Sequence, residues 1–156
     1  MFRGMRLAAQ QLSQEETIKI LQEASHATLA INGDGEYPYS VPISFVYNDG
    51  KIYFHGAAAG QKFDLMMRDP HVCLSAITMD DVQAKGFTTY YRSAVVYGDI
   101  TRLETMEEIA QAMMLTVDKY CEGDREGGAA FMNAEMGNFC VYCLDIKHMT
   151  GKRSEG

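Results

Sequence analysis

The stretch from Tyr39 to Lys62 constrains this chain most, because it predicts a β-hairpin followed by a glycine-rich loop. Residues 41–47 alternate apolar side chains with smaller or polar ones, which is the period of a strand with one buried face. Asp49-Gly50 tolerates the positive φ of a tight turn, so residues 51–55 should return antiparallel beside that strand. Residues 56–62, GAAAGQK, then bring small residues and a cation to a predicted helix start. The stretch therefore predicts an anion pocket beside a strand pair.

Capping signals and alternating patterns predict the remaining elements. Ser13 to Glu16 and Thr105 to Glu108 are capping boxes, which mark the starts of helices. Asp69-Pro70 ends a short helix, because the residue before proline disfavours the helical region. We expect helices at 14–24, 61–68, 106–120 and about 131–136, strands at 26–32, 37–47, 51–55, 71–79, 88–104 and 139–148, a bulge or bend at Gly98 and a loop at 122–128.

These elements predict a mainly β protein with antiparallel strands and helices at the joints. Parallel α/β folds need repeated βαβ units, and an antiparallel meander does not provide them. Long, bent strands favour a closed or split barrel over an open sheet, because a barrel protects its edges. A sandwich remains an alternative. With 156 residues and no change in composition along the chain, we expect one domain over residues 1–156, with loose tails at 1–12 and 154–156.

The charge of the chain limits its partners. The formal net charge is −7, whereas nucleic acids and anionic membranes attract clustered Lys and Arg, so neither is expected as a partner. An anionic ligand must then be held by a local basic site. Residues 1–12 lack the apolar run of a signal peptide, and no later segment reaches membrane-spanning length. We therefore expect a cytoplasmic protein.

Four cysteines raise the question of metal or redox chemistry. Cys140 and Cys143 have the spacing of half a zinc site, but their segment has the pattern of a strand, in which residues three apart face opposite sides. The sequence contains no second pair with this spacing. We therefore expect reduced, structural cysteines and no metal site, with redox or metal function as the alternative.

Three segments carry a resemblance to a known family: Tyr37 to Ser75, Tyr91 to Glu104, and His148 to Arg153. In order and spacing they are similar to the pyridoxamine 5′-phosphate oxidase-like flavoproteins, and in particular to the nitroimidazole-resistance branch, over roughly residues 12–153. No single motif would carry this similarity. The resemblance implies an FMN-binding split barrel, bound FMN and a homodimer.

The resemblance also implies where FMN binds. Lys62, which follows Gly60 at the predicted helix start, is implied to bind the FMN phosphate; without the resemblance, a solvated surface lysine is an equal alternative. The segment Val41-Pro42-Ile43-Ser44 is implied to contact the isoalloxazine ring. A proline cannot donate to a central ladder, so this segment is also expected at an edge or a bulge.

Basic residues late in the chain extend this predicted site. Arg92, followed by Ser93, could offer a bidentate fork to the same phosphate, although an arginine on a strand is more often a surface residue. The resemblance places the terminal segment, with His148, Gly151 and Lys152, near the flavin. A disordered basic tail is the alternative for that segment.

His55 is the predicted catalytic residue. It precedes the glycine-rich loop, and a titratable group beside a flavin could donate a proton or contact a substrate. The resemblance to the nitroimidazole-resistance branch also implies a histidine near the reaction centre. His26 and His71 are expected to be structural. The sequence has no nucleophile elbow, no HExxH motif and no dinucleotide-binding GxGxxG motif.

The function expected from these features is an FMN-dependent oxidoreductase that reduces a small electrophile, such as a 5-nitroimidazole. A non-catalytic flavin- or haem-binding module is the alternative from another class, because one barrel can hold a ligand without turnover. Pyridoxamine 5′-phosphate oxidation is a third reading, disfavoured because no basic cluster for a second phosphate is evident.

Overall fold

The computed structural model describes residues 1–155 and contains one seven-stranded antiparallel sheet with four flanking α-helices. The strands are β1 Ala27–Ile31, β2 Tyr39–Ile43, β3 Val46–Asn48, β4 Lys51–Gly56, β5 His71–Gln83, β6 Thr88–Arg102 and β7 Cys140–Ser154. The helices are α1 Gln14–Glu23, α2 Gln61–Arg68, α3 Met106–Tyr120 and α4 Arg125–Glu135, and short 3-10 turns occur at Ala8–Gln10 and Ala84–Gly86.

The order of the strands shows how the sheet closes. It runs β2-β1-β5-β6-β7-β4-β3, so β2 and β3 form the two edges. Only Ser44 and Phe45 separate these edge strands in the chain, and the sheet must therefore bend until its edges meet at this corner. The mainly β, antiparallel split barrel expected from the sequence is confirmed.

The corner corrects one prediction, because the sequence indicated a single strand over 37–47. The structure divides it: Val41 pairs with Leu29 of β1, whereas Val46 pairs with Tyr53 of β4 on the far side of the barrel. The predicted Asp49-Gly50 turn is confirmed, with φ of 46° and 76° at the two residues.

Apolar side chains from every strand and from α1 fill the barrel. Leu29, Ile52, Leu74, Val96 and Leu144 have no exposed surface. The helix α1 contributes Ile20 and Leu21, and its N-terminus carries the predicted capping box between Ser13 and Glu16. A smaller cluster under α3 and α4 covers the outer side of β4 and β7; its buried members are Ala112, Met113, Met132 and Val141.

Several predicted boundaries move in the structure. α2 has the predicted bounds, and the predicted bulge is confirmed as a register shift between β6 and β7 at Tyr97/Gly98. β5 and β7 extend beyond their predicted ends to Gln83 and Ser154. α4 begins at Arg125, inside the predicted loop, because the side chain of Asp124 caps it.

The N-terminal segment makes specific contacts, although the sequence predicted a loose tail over residues 1–12. Gln11 forms a bridge with Lys152, the Leu12 amide donates to the Gly151 carbonyl at 2.9 Å, and Leu12 is buried. The reason is that β7 extends as far as Ser154, and the end of this strand pairs with the N-terminal segment.

The cysteines occupy separate environments. All four are free thiols, and Cys140 lies in the barrel core while Cys143 faces the opposite side of β7, as the strand pattern predicts. Within residues 1–155 no group of three His, Cys, Asp or Glu side chains is arranged to hold a metal ion. None of the helices in this range is long and apolar enough to cross a membrane.

Candidate functional site

The N-terminus of α2 and the end of β4 form one corner of the barrel. α2 begins after Gly60, whose φ of 107° is accessible to glycine and strained for other residues. No side chain caps this helix, so its first amides are open to an anion. A Cβ atom on Gly56 would lie 3.0 Å from Nζ of Lys62, so the lysine ammonium rests over the glycine. The corner thus combines free amides with a fixed cation.

His55 lies beside this cation, at the end of β4. Its side chain is exposed to solvent on the outer side of the sheet, and its ring makes an edge contact with Phe139, with centroids 6.0 Å apart. The protein atoms packed around the ring lower the pKa of His55, and the ammonium of Lys62 lowers it further. The neutral imidazole is therefore favoured near pH 7, and it can donate one hydrogen bond from its ring N–H.

The segment 41–44 reaches the same corner from the other edge of the sheet. Val46 pairs with Tyr53 in an antiparallel ladder. Ser44, two residues before Val46, and His55, two residues after Tyr53, therefore lie toward the same end of that ladder. Pro42 pairs with Thr28 in β2, which is an edge strand as expected for a proline. Ser44 and the end of β4 therefore lie at the same end of the β3–β4 ladder.

Two side chains of α3 hold the barrel corner in place. The Tyr120 hydroxyl accepts from the Phe45 amide at 3.0 Å, and it lies 2.8 Å from the Phe45 carbonyl and 2.7 Å from the Ser25 carbonyl. The Lys119 ammonium donates to the same Phe45 carbonyl at 2.9 Å and lies 4.1 Å from the centroid of the Phe45 ring. Burial lowers the pKa of Lys119 to about 8. Both residues were missed from the sequence, because their partners are 74 and 75 positions away.

Arg102 is a second cation that the sequence did not single out. Its guanidinium lies 5.7 Å from the centroid of the Phe63 ring, on the first turn of α2. Its strand partner Tyr142 bonds through its hydroxyl to the Ala57 carbonyl at 3.3 Å. No sequence motif surrounds Arg102, and only the pairing of β6 with β7 brings it to the end of the barrel where Lys62 lies.

Arg92 lies far from Lys62 within one chain, and the prediction that both hold one phosphate stays a prediction. It lies ten residues before Arg102 on β6, which is about 30 Å along an extended strand. Its Nε is 2.5 Å from Oε1 of Glu155, so its fork is already engaged with a carboxylate. The structure therefore divides the predicted site residues into two groups.

The second group lies on β6 and β7. Ser93 pairs with Lys152, and His148 pairs with Tyr97 on the outer side of the sheet. The ring of Phe2 stacks on His148 with centroids 4.6 Å apart. Gly151 does not face this side, because a Cβ atom there would lie 2.3 Å from Oγ1 of Thr17 in α1. Gly151 allows α1 to approach the sheet, and its place beside a cofactor stays a prediction.

A comparison with known families now identifies the chain. A family model described as pyridoxamine 5′-phosphate oxidase matches residues 13–153. The chain belongs to this family. The matched range contains all four α-helices and all seven strands, apart from Ser154 at the end of β7. The match therefore includes both groups of site residues.

Solved structures share the fold of this family member. A candidate 5-nitroimidazole antibiotic resistance protein from Bacteroides thetaiotaomicron is 21% identical, with a TM-score of 0.74, covering 93% of this chain and 90% of the other. A flavocytochrome from Azotobacter vinelandii is 20% identical, with a TM-score of 0.76 and coverage of 98% and 73%. An FAD and heme binding protein from Mycobacterium smegmatis is 22% identical, with a TM-score of 0.68 and coverage of 94% and 74%. No curated protein sequence matches the chain.

Proposed function

We propose that this protein is an FMN-dependent oxidoreductase. The observation that carries the proposal is the corner where the uncapped N-terminus of α2, the Lys62 ammonium and His55 meet. Open helix amides and an ammonium are the groups that bind a phosphate, and Arg102 adds a further cation at the same end of the barrel. The donor set fits the FMN phosphate. Bound FMN would supply two-electron transfer, which the side chains present cannot perform alone.

The proposed working form is a cytoplasmic homodimer. Lys62 and Lys152 belong to groups at distant parts of one chain, and both were predicted to contact FMN. A two-fold dimer can bring one group of each chain beside the other group of its partner. The flavin ring would then lie between Val41 to Ser44 of one chain and the outer side of β6 and β7 of the other. This arrangement accounts for the separation of Arg92 from Lys62.

We propose a small nitroaromatic, such as a 5-nitroimidazole, as the substrate. The Bacteroides thetaiotaomicron protein, described as a candidate 5-nitroimidazole antibiotic resistance protein, supports this choice through its shared fold. His55 is the proposed catalytic residue. Because its pKa is lowered, its role near pH 7 is to donate a hydrogen bond from the neutral ring to a nitro oxygen.

An anaerobic experiment tests this function without knowledge of the physiological electron donor. The protein is loaded with FMN, the flavin is reduced chemically, and its reoxidation by a 5-nitroimidazole is followed in the visible spectrum. Wild type should reoxidise faster than free reduced FMN. His55→Ala should be slower than wild type by about 10²-fold, whereas His55→Gln should keep part of the rate because its amide also donates a hydrogen bond. A variant of the exposed His26 serves as the control.

The same experiment has outcomes that contradict the proposal. Purified protein that shows a haem Soret band, or that takes up no FMN, would contradict the assignment of the cofactor. FMN-loaded wild type that reoxidises no faster than free reduced FMN would contradict nitroreduction. Equal rates in wild type and both His55 variants would remove His55 from catalysis while leaving the flavin assignment intact.

A further inference from the structure

The hairpin between β5 and β6 projects beyond the rest of the sheet. β1 pairs with β5 only as far as Ala76, and β7 pairs with β6 only from Tyr91 onward. Residues 80–90, here called the arm, therefore pair only within the β5–β6 hairpin, through contacts such as Val82 with Thr89. The arm extends roughly 10–15 Å past its neighbours. A two-stranded ribbon is marginally stable in water by itself, so the arm needs support.

The arm exposes apolar side chains that such a ribbon would not need. Phe87 at its tip is 96% exposed and Val82 is 70% exposed. Ile77, at the base of the arm, is 57% exposed and lies on the outer side of the sheet. Large apolar side chains grouped on a projecting element mark a surface that contacts a partner.

The backbone conformation at the tip of the arm is unusual for a phenylalanine. Phe87 has φ of 49° and ψ of 41°, in the left-handed region where Gly or Asn is favoured and a bulky side chain is uncommon. A turn selected only for stability would carry Asn or Gly here. A phenylalanine that is both strained and exposed indicates that its ring has a use outside its own subunit.

Charges on and beside the arm are arranged so that two copies can complement each other. Asp80 and Asp81 lie on the arm, and Lys152 and Arg153 lie on the end of β7 at its base. None of these four side chains takes part in an ion pair within residues 1–155. In a two-fold pair, the acidic arm of each chain can lie against the basic strand end of the other.

We infer that the arm docks on a second copy of this chain and buries Phe87 and Val82 there. The inference rests on the proposed homodimer and specifies which surface forms it. The arm adjoins residues 91–93 of β6, and Ser93 pairs with Lys152. A docked arm therefore also brings Arg92, Ser93 and Lys152 toward the partner.

The test compares dimer dissociation constants by sedimentation or light scattering over a dilution series. Phe87→Asn removes the ring and supplies a residue that the left-handed region favours, and Val82→Thr keeps the shape and strand propensity while adding a hydroxyl. Phe87→Asn should weaken dimerisation by at least about tenfold, and Val82→Thr should weaken it by about threefold. Tyr37→Asn is the matched control, because Tyr37 is 81% exposed on the turn between β1 and β2.

Stability of the separated subunit distinguishes docking from misfolding. At concentrations where wild type is dissociated, Phe87→Asn should unfold at the same or a higher denaturant concentration than wild type, since the strain at residue 87 is relieved. Unchanged dimer dissociation constants in both arm variants would overturn the inference and leave the homodimer standing. A wild type that stays monomeric at high concentration, with FMN bound, would overturn the inference and the proposed homodimer but not FMN binding.

Discussion

Gly56 positions a cation by lacking a side chain. The ammonium of Lys62 lies where a Cβ atom on residue 56 would crowd it at 3.0 Å, so the glycine sets the place of the charge. A lysine in solvent contributes little through an ion pair, whereas a partly desolvated, charged hydrogen bond is worth about 1.5–3 kcal/mol. Lys62→Ala should therefore weaken FMN binding by at least about tenfold in a fluorescence titration.

Gly56→Ala tests whether FMN binding depends on the position of the Lys62 ammonium as well as on its charge. The added methyl group meets the flexible end of Lys62, so the fold should tolerate it while the ammonium moves. Thermal stability should change little, and FMN affinity should fall in the same direction as for Lys62→Ala. Lys19→Ala, an exposed lysine on α1, should match wild type. Equal FMN affinity in Lys62→Ala and wild type would contradict the phosphate assignment.

Among the elements, those defined by neighbouring residues could be predicted and those defined by distant ones could not. α1 and α2 follow from a capping box and from Asp69-Pro70, which act within a few residues. The break at Ser44-Phe45 depends instead on Tyr120, 75 positions away, whose hydroxyl takes the Phe45 amide out of a strand ladder. Periodicity alone cannot show where a tertiary contact interrupts a strand.

Lys119 adds a pH dependence to this corner. Its pKa is about 8 in the folded protein and about 10.4 in an unfolded chain. Between these values the unfolded chain binds more protons, so the free energy of unfolding should rise with pH through this window. The slope cannot exceed about 1.4 kcal/mol per pH unit, and solvent contact makes it smaller. Below about pH 8 the lysine is charged in both states and the slope disappears.

Urea unfolding of wild type and Lys119→Met between about pH 7 and about pH 10 measures this slope. Other titrating groups, including tyrosines, are common to both proteins and cancel in the difference. Wild type should gain stability relative to Lys119→Met as pH rises above about 8. Lys147→Met is the control, because Lys147 pairs with Asp145 at the surface and its pKa is raised. Parallel stability curves for wild type and Lys119→Met would show that Lys119 titrates normally.

At the scale of the whole molecule, the sequence indicated which residues belong to the site, but not that they form two separate groups within one chain. Lys62 was predicted from a glycine-rich loop together with the family resemblance, and Lys152 from the resemblance alone. Which residues come together depends on strand order, and β6 and β7 run far enough to carry Lys152 away from the corner with Lys62. A chain cannot show in one dimension whether a set of ligands belongs to one subunit or to two.

Subunit mixing tests whether the site is shared. Lys62→Ala and Lys152→Ala homodimers should each bind FMN weakly, since every site in them lacks one cation. After dissociation and reassociation of an equal mixture, half of the dimers are hybrids, and each hybrid has one site with both lysines and one with neither. About a quarter of all sites should therefore regain wild-type affinity, as a tight phase in the FMN titration. A mixture that titrates as the average of its two parents would place both lysines in the site of a single chain, or exclude Lys152 from it.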